Sequence, residues 1–215
     1  MELKKKKSWR DVSINEYFEL KDRLEDESLQ EYDKIVIKIA FINNMTEDDV
    51  WSLNINKFRE LQVEATWMDE FKLNEKPKFK NINIGQYNCK IDPVMQNFTV
   101  AQYIDFQTFY PQRKTNPKVL GNIIGCFMIP EGKSYSEGYD VQDLVSTINE
   151  ELDIMTANEI LFFFLKQYLV SMRVTANYFN WQMKKMKKRL PVETYKKMKE
   201  KWEAAKKAIL LGLHS

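Results

Sequence analysis

The chain has 215 residues, 44% hydrophobic and 30% charged, with a net charge of +2. That length suits one domain, or one domain with an appended helical segment, and the balance is too hydrophobic for a disordered chain. Six Gly and six Pro favour long regular elements over a turn-rich β architecture. The expected fold class is mainly α: a helical bundle with one small β-hairpin at about residues 78–91 and a long basic C-terminal helix.

The basic start Lys4-Lys5-Lys6-Lys7 runs into Ser8-Trp9-Arg10 with no apolar stretch behind it, so no secretory signal is expected. Residues 1–10 are read as a basic arm. Ser13-Ile14-Asn15-Glu16 has the spacing of a capping box and predicts a helix to about Glu25. Ser28-Leu29-Gln30-Glu31 predicts a second start, with Tyr32, Ile35, Val36, Ile39 and Ala40 on one buried face. Thr46-Glu47-Asp48-Asp49 and Asn54 open two more helices, which gives a helical subdomain over 11–75.

Alternation after Lys76-Pro77 predicts two strands turning at Gly85-Gln86. Helices resume with Thr99-Val100-Ala101-Gln102 as a box and Asn116-Pro117 as a start. The one long loop runs from Ile129 to Asp140, and Asp140 caps a helix to about Glu151. Thr156-Ala157-Asn158-Glu159 predicts the start of the longest helix, reaching Arg189. The apolar run from Ile160 to Leu165 marks the centre of the core. Residues 76–190 thus read as a hairpin plus helical core. Leu190-Pro191 breaks the helix, and 191–215 form a basic amphipathic helix.

Enzyme chemistry is not expected. The single histidine, His214, sits next to the last residue, a poor place to hold a catalytic base. Gly132-Lys133-Ser134 imitates a phosphate loop, but the motif needs a glycine five positions before Gly132, where Phe127 stands. The acid clusters at 25–27, 47–49 and 150–153 lie at helix ends and lack the spacing of a calcium loop. Cys89 and Cys126 lack metal-ligand spacing and imply a reducing compartment. No cofactor and no metal are expected. The Asn44 and Asn97 glycosylation patterns are read through Thr46 and Thr99 as helix caps. The longest apolar run has six residues, against roughly 20 for a membrane span, so no crossing is expected.

Charge is distributed unevenly. Between Lys184 and Lys207, eleven Lys or Arg face three acids, a net +8; the whole chain carries +2, so the remainder carries −6. Lys184, Lys185, Lys187, Lys188, Arg189, Lys196 and Lys197 are therefore candidate contacts to an anionic partner. Tyr195, Met198 and Trp202 repeat on one face of the last helix and are candidate protein contacts. The bland alternative is a solvated face, with the apolar stripe packed on the protein's own core.

Three segments carry a resemblance. They are Phe98 to Gln107, the loop Ile129-Pro130-Glu131-Gly132-Lys133 with Tyr135 and Gly138-Tyr139-Asp140, and Phe162-Phe163-Phe164. They resemble virion and tail-module proteins of crAss-like and related Bacteroidales tailed phages. The pattern Ser28 to Asn43, Thr46 to Val50 and Leu53 to Leu61 is similar to phage tail-assembly chaperones. The resemblance implies a non-enzymatic virion protein, tail-associated or packaged as cargo and delivered to the host cytoplasm. Its partners would be other phage proteins, in multiple copies per particle. A tail-assembly chaperone and a ring or connector component are the alternatives it leaves open. A nucleic-acid-binding protein acting through the basic C-terminal helix is the reading from charge alone.

Overall fold

A computed structural model describes residues 5–73, 81–91, 98–187 and 191–214. The protein is mainly α with a small antiparallel sheet, as the sequence predicts. It forms two compact units, Met1–Leu161 and Phe162–Ser215. The division falls within the longest helix, whereas the sequence suggested boundaries near residues 10, 75 and 190.

The first unit begins with residues 5–13, which are built into the fold instead of forming a separate arm. Lys6 donates its backbone N–H to the Ile42 carbonyl at 3.0 Å, and the residue is only 8% exposed. Ser13 caps α1 (Ile14–Leu24) by the predicted box. The start of α2 (Glu31–Asn43) is shifted from the expected site. Its cap is Gln30, because Ser28 is engaged in a turn with the Asp26 carboxylate. α3 (Glu47–Trp51) and α4 (Ile55–Glu64) start at Thr46 and Asn54 as expected. Val36, Ile37, Ile39, Ala40 and Ile42 of α2 pack with Leu20, Val50, Leu61 and Met68 into one core cluster. α2 is buried on more than one side because helices converge on it from α1, α3 and α4.

The hairpin is β1 (Asn81–Ile84) and β2 (Tyr87–Ile91), paired Asn81 with Lys90 through Ile84 with Tyr87. Residues 78–80 of the expected hairpin lie outside the described residues. The sequence did not show β3 (Met128–Pro130), which joins the other edge of β2. Three residues are too few to reveal a period of two.

α5 (Val100–Phe109) carries the predicted Thr99 box. Asn116-Pro117 opens a 3-10 turn over 117–119, and α6 (Leu120–Gly125) follows it. α7 (Val141–Glu151) is capped by Asp140, and α6 packs across it. Ile123, Ile124, Met128, Leu144 and Ile148 are all less than 2% exposed.

α8 (Ile154–Lys187) starts two residues before the expected box. Asp153 accepts from the Thr156 amide at 2.8 Å, so the cap is the aspartate and Thr156 already lies inside the helix. The apolar run at 160–165 is divided by helical rotation. Ile160 and Phe164 are buried, while Phe162 is 45% exposed. The second unit contains the rest of α8 and α9 (Val192–His214).

The tip of the hairpin is fixed on α7. Gly85 has φ +50, and its N–H donates to Glu151 Oε2 at 2.8 Å. A Cβ there would stand 2.7 Å from Thr147 Cγ2. Gly85→Ala combines left-handed strain with this close approach and should destabilise the protein by about 2 kcal/mol. Urea unfolding measures it; a change below roughly 0.5 kcal/mol would mean the tip is not held as described.

Candidate functional site

The sequence-predicted contacts fall in the second unit. Pro191 cannot continue a helix, and α9 begins directly after it at Val192. Along α9, Tyr195, Met198 and Trp202 are half-buried, and their neighbours are exposed. The Trp202 indole N–H donates to Asn180 Oδ1 of α8 at 3.0 Å. Met183 of α8 is 7% exposed. The apolar stripe is therefore at least partly spent inside this unit, which was the bland alternative for these three residues.

The lysines point outward. Lys184, Lys185 and Lys187 of α8 are exposed, as are Lys196, Lys197, Lys199 and Lys201 of α9. Lys188 and Arg189 lie outside the described residues. The Lys185 ammonium sits 3.7 Å from the centroid of the Trp181 ring, and Trp181 is 49% exposed. Among the described residues, none of these seven lysines has a carboxylate oxygen within 4 Å.

The first unit treats its cations differently. Lys5 pairs with Glu64, and Lys6 reaches Glu16 at 3.1 Å and Asn44 at 3.2 Å. Arg10 donates to Glu159 Oε1 at 2.7 Å and to Thr156 at 3.1 Å. Glu159 is 4% exposed, so this contact supplies a counter-charge to a carboxylate removed from water. Lys38 pairs with Asp69 at 2.7 Å, and Arg23 with Glu47. Lys5, Lys6 and Arg10 of the basic start are thus paired within the fold. Sequence reading missed this because the partners lie up to 149 positions away.

A second feature is an open cleft of about 510 Å³ between the hairpin and the loop before α7, lined by Gln86, Tyr87, Asn88, Glu131, Lys133 and Tyr139 among others. Much of its polar lining is already engaged. Tyr87 and Gln86 both donate to Asp143 Oδ2, at 2.5 and 2.9 Å, and Asn88 donates to Glu131 at 2.7 Å. The hydrogen bond to Asp143 holds the Tyr87 phenol above its usual pKa. Gly132-Lys133-Ser134 forms a turn with Gly132 at φ +76, and no helix starts there to receive a phosphate.

Beneath the cleft, Tyr135 donates to Asp105 Oδ2 at 2.7 Å, and Gln102 donates to the Cys126 carbonyl at 2.7 Å. Burial pushes the Cys89 thiol up to about 11 and the Cys126 thiol up to about 12. Burial, and then the bond to Asp105, raises the Tyr135 phenol. Thiols held neutral in this way are poor nucleophiles. Among the described residues, no three His, Cys, Asp or Glu side chains are placed to hold a metal ion. Among them also, no helix is long and apolar enough to cross a membrane.

Comparison with protein-family models, with curated proteins and with solved structures yields no match. The reading of the site therefore rests on its own chemistry.

The raised thiols make an alkaline prediction. Below about pH 9 both states keep the thiols protonated, so the shift contributes nothing. Above the ordinary value of 9.0 the unfolded chain releases protons that the folded chain retains. Stability should fall between about pH 9 and 11, and Tyr135 adds to the loss in the same direction. Urea midpoints across this range measure it. In parallel, iodoacetamide at pH 8 should leave Cys89 and Cys126 unlabelled until the protein is unfolded. A flat stability profile with rapid native labelling would contradict the burial of both thiols.

Proposed function

We propose that this chain is a non-enzymatic binding protein of a tailed-phage particle, associated with the tail or packaged as cargo and delivered to the host. Its working contacts are with other proteins of the particle. The family part of this reading comes from the resemblance of residues 98–107, 129–140 and 162–164. The way the first two segments are used supports a structural role for them. Phe98 stacks on Phe127 at 5.5 Å, Gln102 is tied to Cys126, Tyr135 to Asp105, and Asp140 caps α7. These side chains hold the fold together.

One observation carries the binding part. On α5, Gln102 is buried beside Phe106, at 3% and 2% exposed, whereas Val100 is 76%, Tyr103 41% and Ile104 56% exposed. Gln102 is inside because its amide closes the Thr99 capping box and bonds the Cys126 carbonyl. Val100, Tyr103 and Ile104 lie on the outside. Their spacing of three and four puts them side by side on one stripe, the pattern by which a helix docks on a partner.

Mass spectrometry of purified particles tests the reading, with peptides of this chain expected in them. Absence from particles, together with recovery on an unassembled tail protein, would replace it with the tail-assembly chaperone. Absence from both would overturn it. A Val100→Asp, Ile104→Asp variant should fold with stability within about 0.5 kcal/mol of the parent, since both sites are exposed. It should nevertheless be lost from particles. Normal incorporation of this variant would count against the α5 stripe.

A further inference from the structure

We propose that the basic helical hairpin of the second unit binds nucleic acid through the phosphate backbone, without sequence selectivity. This goes beyond the reading above and does not depend on where the protein resides.

The described lysines of the two units differ in their partners. In the first, Lys5, Lys6, Lys38 and Arg10 each hold a carboxylate of the same fold. In the second, Lys184, Lys185, Lys187, Lys196, Lys197, Lys199 and Lys201 have none within 4 Å among the described residues. Glu193, Glu200 and Glu203 are interspersed along α9, yet the region from Lys184 to Lys207 still carries a net +8. Concentrating a net +8 on one helical segment costs stability through self-repulsion. An anionic partner removes that cost.

Three observations decide which anionic partner. A membrane-surface helix needs its apolar face outward. Here Tyr195, Met198 and Trp202 are half-buried and Trp202 is tied to Asn180, while the lysines face out. A protein interface is built on aromatic and apolar anchors and is depleted in lysine. Among the described residues from Lys184 to Lys201, seven lysines are exposed, and the large apolar side chains exposed beside them are Trp181 and Val192. A phosphate backbone requires point charges along a surface, and that is what the hairpin offers. Lysine also explains the absence of selectivity. A single ammonium cannot make the forked, paired contacts by which arginine reads guanine.

The full-length chain should bind a fluorescent 20-base-pair DNA of arbitrary sequence at low salt. Affinity should fall steeply as salt is raised, with a slope of about 0.9 per neutralised phosphate. Two unrelated sequences should bind within about threefold of each other. Lys196→Gln with Lys197→Gln should reduce the slope by about 2. Lys38→Gln, which touches a lysine already paired with Asp69, should leave the slope unchanged. Circular dichroism of each variant separates lost binding from lost helix. No binding at about 50 mM salt would overturn the proposal. So would a slope that the Lys196 and Lys197 changes leave intact, or displacement of the DNA by polyglutamate or anionic vesicles at lower charge concentration than by competitor DNA. The last result would assign the face to an acidic protein or to a membrane.

Discussion

A two-residue antiparallel bridge ties the start of the chain to the start of its longest helix. Ile14 N–H donates to the Leu152 carbonyl at 3.1 Å, and Ile154 N–H donates to the Val12 carbonyl at 2.9 Å. Ser13 and Asp153 are the paired residues, and each also caps a helix. One contact therefore fixes the first turns of α1 and α8 at once. Val12, Ile14 and Ile154 are fully buried around it, so the bonds are shielded from water. Closing a loop of this length costs chain entropy that grows slowly with length. The burial around the bridge is what offsets that cost.

The charge arrangement follows from the same strap. Because residues 5–13 lie against the fold, Lys5, Lys6 and Arg10 are carried to Glu64, Glu16 and Glu159. The exposed Lys5–Glu64 pair contributes little. Lys6 and Glu159 are buried, so their partners Glu16 and Arg10 supply counter-charges to groups removed from water. Among the described residues, Lys184, Lys185, Lys187, Lys196, Lys197, Lys199 and Lys201 have no carboxylate within 4 Å. Two basic stretches look alike in the sequence, and the fold uses one internally and leaves the other outward.

Much of the helical architecture was legible because it rests on local rules. Ser13, Thr46, Asn54, Thr99 and Asp140 all cap helices where their spacing says they should. Both threonines in glycosylation patterns are among them. The misreadings came where two local options compete. Ser28 could cap a helix or close a turn with Asp26, and it closes the turn. Thr156 has a capping-box partner three residues on, but Asp153 takes the cap first. What could not be read depends on contacts between distant residues. β3 exists because β2 has a free edge beside it. The outward apolar stripe of α5 was invisible because Gln102, a polar residue, takes the inside position. The basic hairpin was visible as composition, but its unneutralised state is a matter of geometry.

Lys5, Lys6, Lys38 and Arg10 hold carboxylates within the first unit, whereas among the described residues Lys184, Lys185, Lys196 and Lys197 have none within 4 Å. Lysine acylation footprinting of the folded full-length chain, read by mass spectrometry with and without DNA, tests this central contrast most directly. The account predicts fast modification at Lys184, Lys185, Lys196 and Lys197 in the free protein and protection of these sites by DNA. It predicts slow modification at Lys6 and Lys38, unaffected by DNA. Equal reactivity across both units, or protection confined to the first, would contradict it.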